Sequence, residues 1–215
     1  MTKFPDFRKF AKDVDKQLAA SATLLPPAGE IAKLGPDMDE NEANEMLTLL
    51  CDVEVAPGLR AMLMLPQELQ VYWQEGPAMG ELFLCNTSGI DNRRVDVSQR
   101  ELEFFGAPLS DYRIVDEVAN IGGPFFTLVR REGNRLAEQL YFFDSRECWK
   151  LELAVADYIE LAFKTFAPLY WQCLFIDAPL RQSRHEKLEQ TLKYLDGKAV
   201  QEALDRLSQA LRAKG

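Results

Sequence analysis

The residues in this chain best suited to covalent or acid–base chemistry near neutral pH are one histidine, four cysteines and a surplus of carboxylates. His185 stands in RQSRHEKLEQ, a charge-flanked helix start. The expectation there is a solvated side chain, not the base of a Ser-His-Asp or Cys-His relay. Cys51, Cys85, Cys148 and Cys173 are widely spaced and form no CxxC pair. With a single histidine, zinc has no ligand cluster, and a reducing compartment disfavours a disulfide framework, so each cysteine reads as a small, partly buried apolar residue. Carboxylates come in groups, such as Asp116–Glu117 and Asp37, Asp39 and Glu40. Abundance alone does not set two of them across a cleft, as glycoside hydrolysis requires. DMDENEANE at 37–45 resembles a calcium loop but lacks the glycine and the final glutamate of one. Neither GxGxxG nor GxxxxGK[ST] occurs, and Gly122–Gly123 precedes a strand-like segment, so it reads as a turn and not a phosphate cradle. The expectation is a protein that is not an enzyme and takes no cofactor or metal.

Charge narrows the choice of partner. The net charge is −9 over 215 residues. Residues 1–36 carry six bases against four acids and residues 180–215 eight against five, which leaves −14 on 37–179. Such a middle disfavours nucleic acid, whose phosphates demand a basic face, and it would attract a basic protein. No apolar run approaches the roughly 18 residues of a membrane span. The first residues, MTKFPDFRKFAKDVDKQL, are charged throughout and unlike a secretory signal. A cytoplasmic protein that keeps off membranes is expected.

Hydrophobic spacing sets out the elements. Phe7, Phe10, Val14 and Leu18 give an amphipathic helix over 5–20, and three prolines and two glycines make 21–36 a linker. Residues 37–54 read as a helix with Asp39 as N-cap and acids in its first turn. ELQVYWQ and GELFLCN alternate on either side of a Gly/Pro loop, as in a hairpin; a proline-started helix over 66–74 is the competing assignment. Tyr72 and Trp73 face opposite ways on that strand, one of them available as an exposed anchor. VSQRELEFF at 97–105 fits a short helix with a Ser98–Glu101 capping box. DYRIVDEV at 111–118 reads as a strand. Phe125–Arg131 and Leu136–Asp144 form a strand pair reversing at Gly133–Asn134. Residues 151–166 make a helix with a stripe through Leu153, Ala156, Ile159 and Phe163. PLYWQCLFI at 168–176 must be buried, and Trp149 and Trp171 are packing residues. Two helices over 185–195 and 198–214, separated by Gly197, form a C-terminal helical hairpin. Strands bracketed by helices give an α+β fold with a curved, mainly antiparallel sheet. The domains expected are 1–36 (helix and linker), 37–179 (α+β body) and 180–215 (helical extension).

The series LQVYWQ…MGELFLC, NIGGPFFTLV, EQLYFFD and LAVADYIELAF, over residues 57–166, resembles the SUKH superfamily. The helix departs from the family pattern, with Ala-Asp-Tyr-Ile where Ser-Phe and then Phe-Leu are usual, and residues 21–56 are longer than the usual entry to the fold. The resemblance implies a binding protein. Most bacterial members are immunity proteins that bind and neutralise a toxin, often a nuclease, and fungal relatives are scaffolding or regulatory proteins of cell-wall synthesis. The function expected here is neutralisation of a cognate toxin, or another basic protein, through an acidic surface. Residues 37–54 carry seven acids and no base and form its centre. The candidate contacts are Asp37, Asp39, Glu40, Glu42, Glu45, Tyr72, Asp116, Glu117 and Asp144. An intracellular scaffold is the alternative, a carboxylate hydrolase using Asp116 or Asp144 ranks last, and homo-oligomerisation through the terminal helices stays open.

Overall fold

The computed structural model describes residues 41, 45, 54–63, 69–75, 78–85, 102–118, 125–144, 146–165, 167–176, 182–194, 201, 202 and 205. Its elements run β1 (Glu54–Val55), α1 (Pro57–Leu63), β2 (Leu69–Glu75), β3 (Ala78–Leu84), β4 (Glu103–Phe104), β5 (Ala107–Pro108), β6 (Tyr112–Val118), β7 (Phe125–Glu132), β8 (Arg135–Phe143), β9 (Cys148–Lys150), α2 (Val155–Lys164) and α3 (Gln182–Tyr194). Two 3-10 segments lie at Leu109–Asp111 and Trp171–Phe175. The fold is α+β with a curled, mostly antiparallel sheet. Among the described residues, no helix is long and apolar enough to cross a membrane. The described residues fall into two units, one between 41 and 70 and between 83 and 155, the other between 71 and 82 and from 156 on.

The first unit is built on the meander β6–β7–β8–β9, each strand antiparallel to the next. β1 joins β8 in parallel at Arg135–Leu136, and Leu84 at the end of β3 pairs with Asp116 on β6. Glu132 and Arg135 face each other across the two-residue loop Gly133–Asn134. Gly133 takes φ +61°, the positive value that a type II′ hairpin needs at its first loop position. Side chains alternate along β7. Phe126 and Leu128 enter a buried cluster with Tyr112, Ile114, Tyr141 and Phe143. On the alternate positions, Phe142 stacks on Phe125 and Trp149. Val115, Thr127 and Val129 are buried as well, so the central strands are covered on both faces. Register shifts between Ile114 and Asp116 and between Val129 and Arg131 mark bulges, which bend a sheet and sharpen its twist. In the second unit, residues 167–169 run along β3, with Glu81 N–H donating to the Ala167 carbonyl and Leu169 N–H to that of Met79. α2 turns Tyr158, Ile159 and Ala162 inward, and the Tyr158 and Trp171 rings meet at 4.6 Å. α3 buries Leu188, Thr191 and Leu192. Trp171 is 1% exposed, and its Nε1 has no hydrogen-bond partner.

The strand assignment for 69–75, the strands at 112–118, 125–132 and 135–143, and the burial of 168–176 agree with the sequence patterns. Several boundaries differ. Glu54 belongs to a strand and not to the end of a helix, because its N–H donates to the Asn134 carbonyl at 2.7 Å. The helix expected over 97–105 does not extend to its last residues: Glu103–Phe104 is a strand of a small hairpin, and Ser98 and Glu101 lie outside the described residues. Leu102 and Phe104 pack on the buried cluster while Glu103 points outward, a period of two that a helix cannot supply. α2 starts at Val155 and not at Leu151, whose N–H still bonds the Leu140 carbonyl. Its buried face passes through Tyr158, Ile159 and Ala162, leaving Leu153 and Ala156 half-buried; the side chain of Phe163 lies outside the description. β9 was not anticipated, since three residues are too few to show alternation. His185 is half-buried with its Nε2 shielded and unpartnered, not fully solvated as expected. Gln201, Glu202 and Asp205 are helical, while the rest of 198–214 lies outside the described residues.

Leu128 is fully buried at the middle of the central strand. Leu128→Ala is expected to lower the unfolding free energy by about 2–5 kcal/mol. A urea midpoint that falls with an unchanged slope would show it.

Candidate functional site

Two of the carboxylates expected on a docking surface are buried instead. Asp116 is 1% exposed and accepts the Phe83 N–H at 2.7 Å, so it ties β6 to the end of β3. Asp144 is 2% exposed; its Oδ1 accepts the Glu147 N–H, and its own N–H reaches the Glu147 carbonyl, closing the turn between β8 and β9. Each is engaged inside the fold by these bonds. Glu117 is half-buried, and Glu45 is exposed on a helical residue. Tyr72 lies on β2 with its side chain outside the description, and Asp37, Asp39, Glu40 and Glu42 lie outside the described residues.

The structure brings a different set of residues to the surface. β4 and β5 form a hairpin with Glu103 opposite Pro108 and Phe104 opposite Ala107. Its two-residue loop, Phe105–Gly106, takes φ of +52° and +72°. Two positive φ values in succession are the type I′ pattern, for which Asn-Gly is the favoured pair. Glycine adopts this backbone freely. For a bulky L-residue it costs on the order of 1–2 kcal/mol. Phe105 is also the one large hydrophobic side chain that is exposed among the described residues, at 46%.

The loop is fixed from below. Leu109 N–H donates to the Leu102 carbonyl at 2.7 Å, closing the hairpin, and the buried Tyr112 hydroxyl donates to the Phe104 carbonyl at 2.9 Å. Arg130 Nη1 donates to the Phe105 carbonyl at 3.3 Å. The Phe105 ring leans on Tyr141, centroids 5.3 Å apart, and the Lys150 ammonium lies 5.3 Å from its centre. β-Register explains the gathering. Tyr112 faces Arg130 across β6 and β7, and Tyr141 faces Lys150 across β8 and β9, all beneath the small hairpin. The buried half of a Phe ring, on the order of 100 Å², is worth about 2.5 kcal/mol, so burial exceeds the backbone strain by about 1 kcal/mol, and the contacts with Tyr141 and Lys150 add to it. A phenylalanine here is therefore a modest net gain to the fold.

The reactive groups beneath the hairpin are held neutral. Burial, with help from the Asp144 carboxylate, pushes the Cys148 thiol from 9.0 up to about 12. Burial chiefly, and then the neighbouring Cys148 and Tyr141, pushes Tyr112 from 10.0 up to about 12. Burial raises Tyr141 too, against the opposing pull of Arg130. A thiol held this way is not a nucleophile at neutral pH. Among the described residues, no three His, Cys, Asp or Glu side chains converge as metal ligands would. What the site offers is a rigid aromatic projection between cations.

No family model, curated protein or solved structure matches this chain.

Two measurements test this description. Phe105→Asn replaces the strained residue with one that suits the turn, and the melting temperature is expected to stay within a few degrees of the parent, since strain relief offsets lost ring contacts. A large drop would mean that the ring is structural. Titration gives a second test. The folded state holds protons on Cys148 and Tyr112 that the unfolded chain releases from about pH 9 upward. Their contribution to stability is complete below that pH and is lost as pH rises toward 12. Melting temperature should therefore fall on the alkaline side from about pH 9.

Proposed function

We propose that this chain is a non-catalytic binding protein of the toxin-immunity type, acting by occupying its partner. The observation that carries this reading is Phe105: exposed, conformationally strained and hydrogen-bonded in place, with only part of its ring serving the fold. Exposed backbone strain is a mark of contact function, and aromatics are the usual anchors of protein interfaces. The Cys148 thiol and the buried Asp116 and Asp144 carboxylates have structural environments that leave them out of turnover chemistry. The net −14 over residues 37–179 supplies long-range attraction for a basic partner, with Glu45 exposed in its acidic segment. The likeness of the hairpin and aromatic-strand series to the SUKH superfamily supports a toxin as that partner, a C-terminal helical hairpin beside the α+β body, and a cytoplasmic site of action.

Co-expression tests the proposal. Cells expressing the protein encoded beside this gene should stop growing, and this chain should restore growth and co-purify with that protein in a stoichiometric complex. Failure of both rescue and co-purification would sink it.

A further inference from the structure

We infer that Phe105 is the central anchor of the interface and enters an apolar recess on the partner protein whose rim carries carboxylates facing Lys150 and Arg130. The inference rests on the binding role proposed above, and adds the place of contact and the chemistry of the surface that receives it.

The chemistry of the receiving surface follows from geometry. The Lys150 ammonium sits 5.3 Å from the centre of the Phe105 ring, and Lys150 is itself exposed. A surface that covers the ring must cover the ammonium too. Removing an ammonium from water without a counter-charge is costly, so the covering surface has to bring an anion with it. Arg130 on β7, hydrogen-bonded to the Phe105 carbonyl, places a second cation against the loop. Nucleic-acid phosphate would supply an anion as well. However, Glu103 and Glu132 are exposed beside the site, and the net −14 over residues 37–179 repels a polyanion. Individual carboxylates around an apolar recess fit this pattern. The hairpin is already fixed by the Leu109–Leu102 and Tyr112–Phe104 hydrogen bonds, so little ordering remains to be done on contact.

The test titrates the purified protein encoded beside this gene into the full-length chain and its variants by calorimetry, with melting curves run alongside. The parent should bind. Phe105→Asn should weaken binding at least about thirtyfold, as expected of a hot-spot residue, with its melting temperature held. Lys150→Glu should weaken binding about tenfold or more, and its binding should improve as salt is added, whereas the parent's should not. Binding by Phe105→Asn within about threefold of the parent would overturn the anchor while leaving the binding role standing. Loss at Phe105→Asn with no loss at Lys150→Glu would overturn the carboxylate rim. No binding by the parent would remove the binding role and this inference together.

Discussion

The meander β6–β7–β8 is covered on both faces, and that double burial constrains everything around it. A strand such as β7 cannot slip by one residue, because Leu128 and Val129 would exchange faces and neither side has room to spare. The register is therefore fixed, and with it the rows that bring Tyr141 opposite Lys150 and Tyr112 opposite Arg130. The position of Phe105 is a consequence. The small hairpin closes one face of the sheet, sending Leu102, Phe104 and Ala107 into the buried cluster, and its loop is left at the rim. Phe105 projects because its neighbours do not.

Polar groups mostly brace this arrangement. Asp116 follows a bulge that turns its carboxylate to the Phe83 N–H, and Asp144 caps the turn into β9. Both supply hydrogen bonds that water would otherwise make to these backbone N–H groups. Arg130 is bound into the loop through the Phe105 carbonyl. The surface so formed has an apolar tip, cations at its base and scattered acids beyond. An interface that joined these would combine packing with short-range ion pairing, and the acidic middle of the chain would act at longer range through encounter rate.

Much of this fold was legible in the sequence where local chemistry and tertiary demand agree. The Gly133–Asn134 reversal, the aromatic strands beside it and the burial of 168–176 were visible because turn preference and alternation point the same way. The reading failed where they conflict. Ser98 and Glu101 make a credible capping box, but Leu102 and Phe104 have a buried cluster to fill, and a strand lets both reach it. The acids Asp116 and Asp144 read as surface because most acids are; the Asp116 partner, Phe83, lies far along the chain, while Asp144 bonds within its own turn to Glu147. Phe105 is one of 13 phenylalanines, and nothing in its own identity marks it as exposed. The usable signal was Phe-Gly followed by Ala-Pro, a turn-forming pair with an unsuitable first member.

The second unit carries an unspent reserve. The indole N–H of Trp171 is sealed among Tyr158 and Phe175 without an acceptor, so that region is folded with one desolvated donor left over. Natural sequences sit short of their most stable form, and this nitrogen is one place where the shortfall has an address. A single carbonyl or hydroxyl oxygen brought within reach of it would recover on the order of 1–3 kcal/mol without touching the Phe105 surface. The stability of this unit therefore has one named nitrogen at which it can be raised.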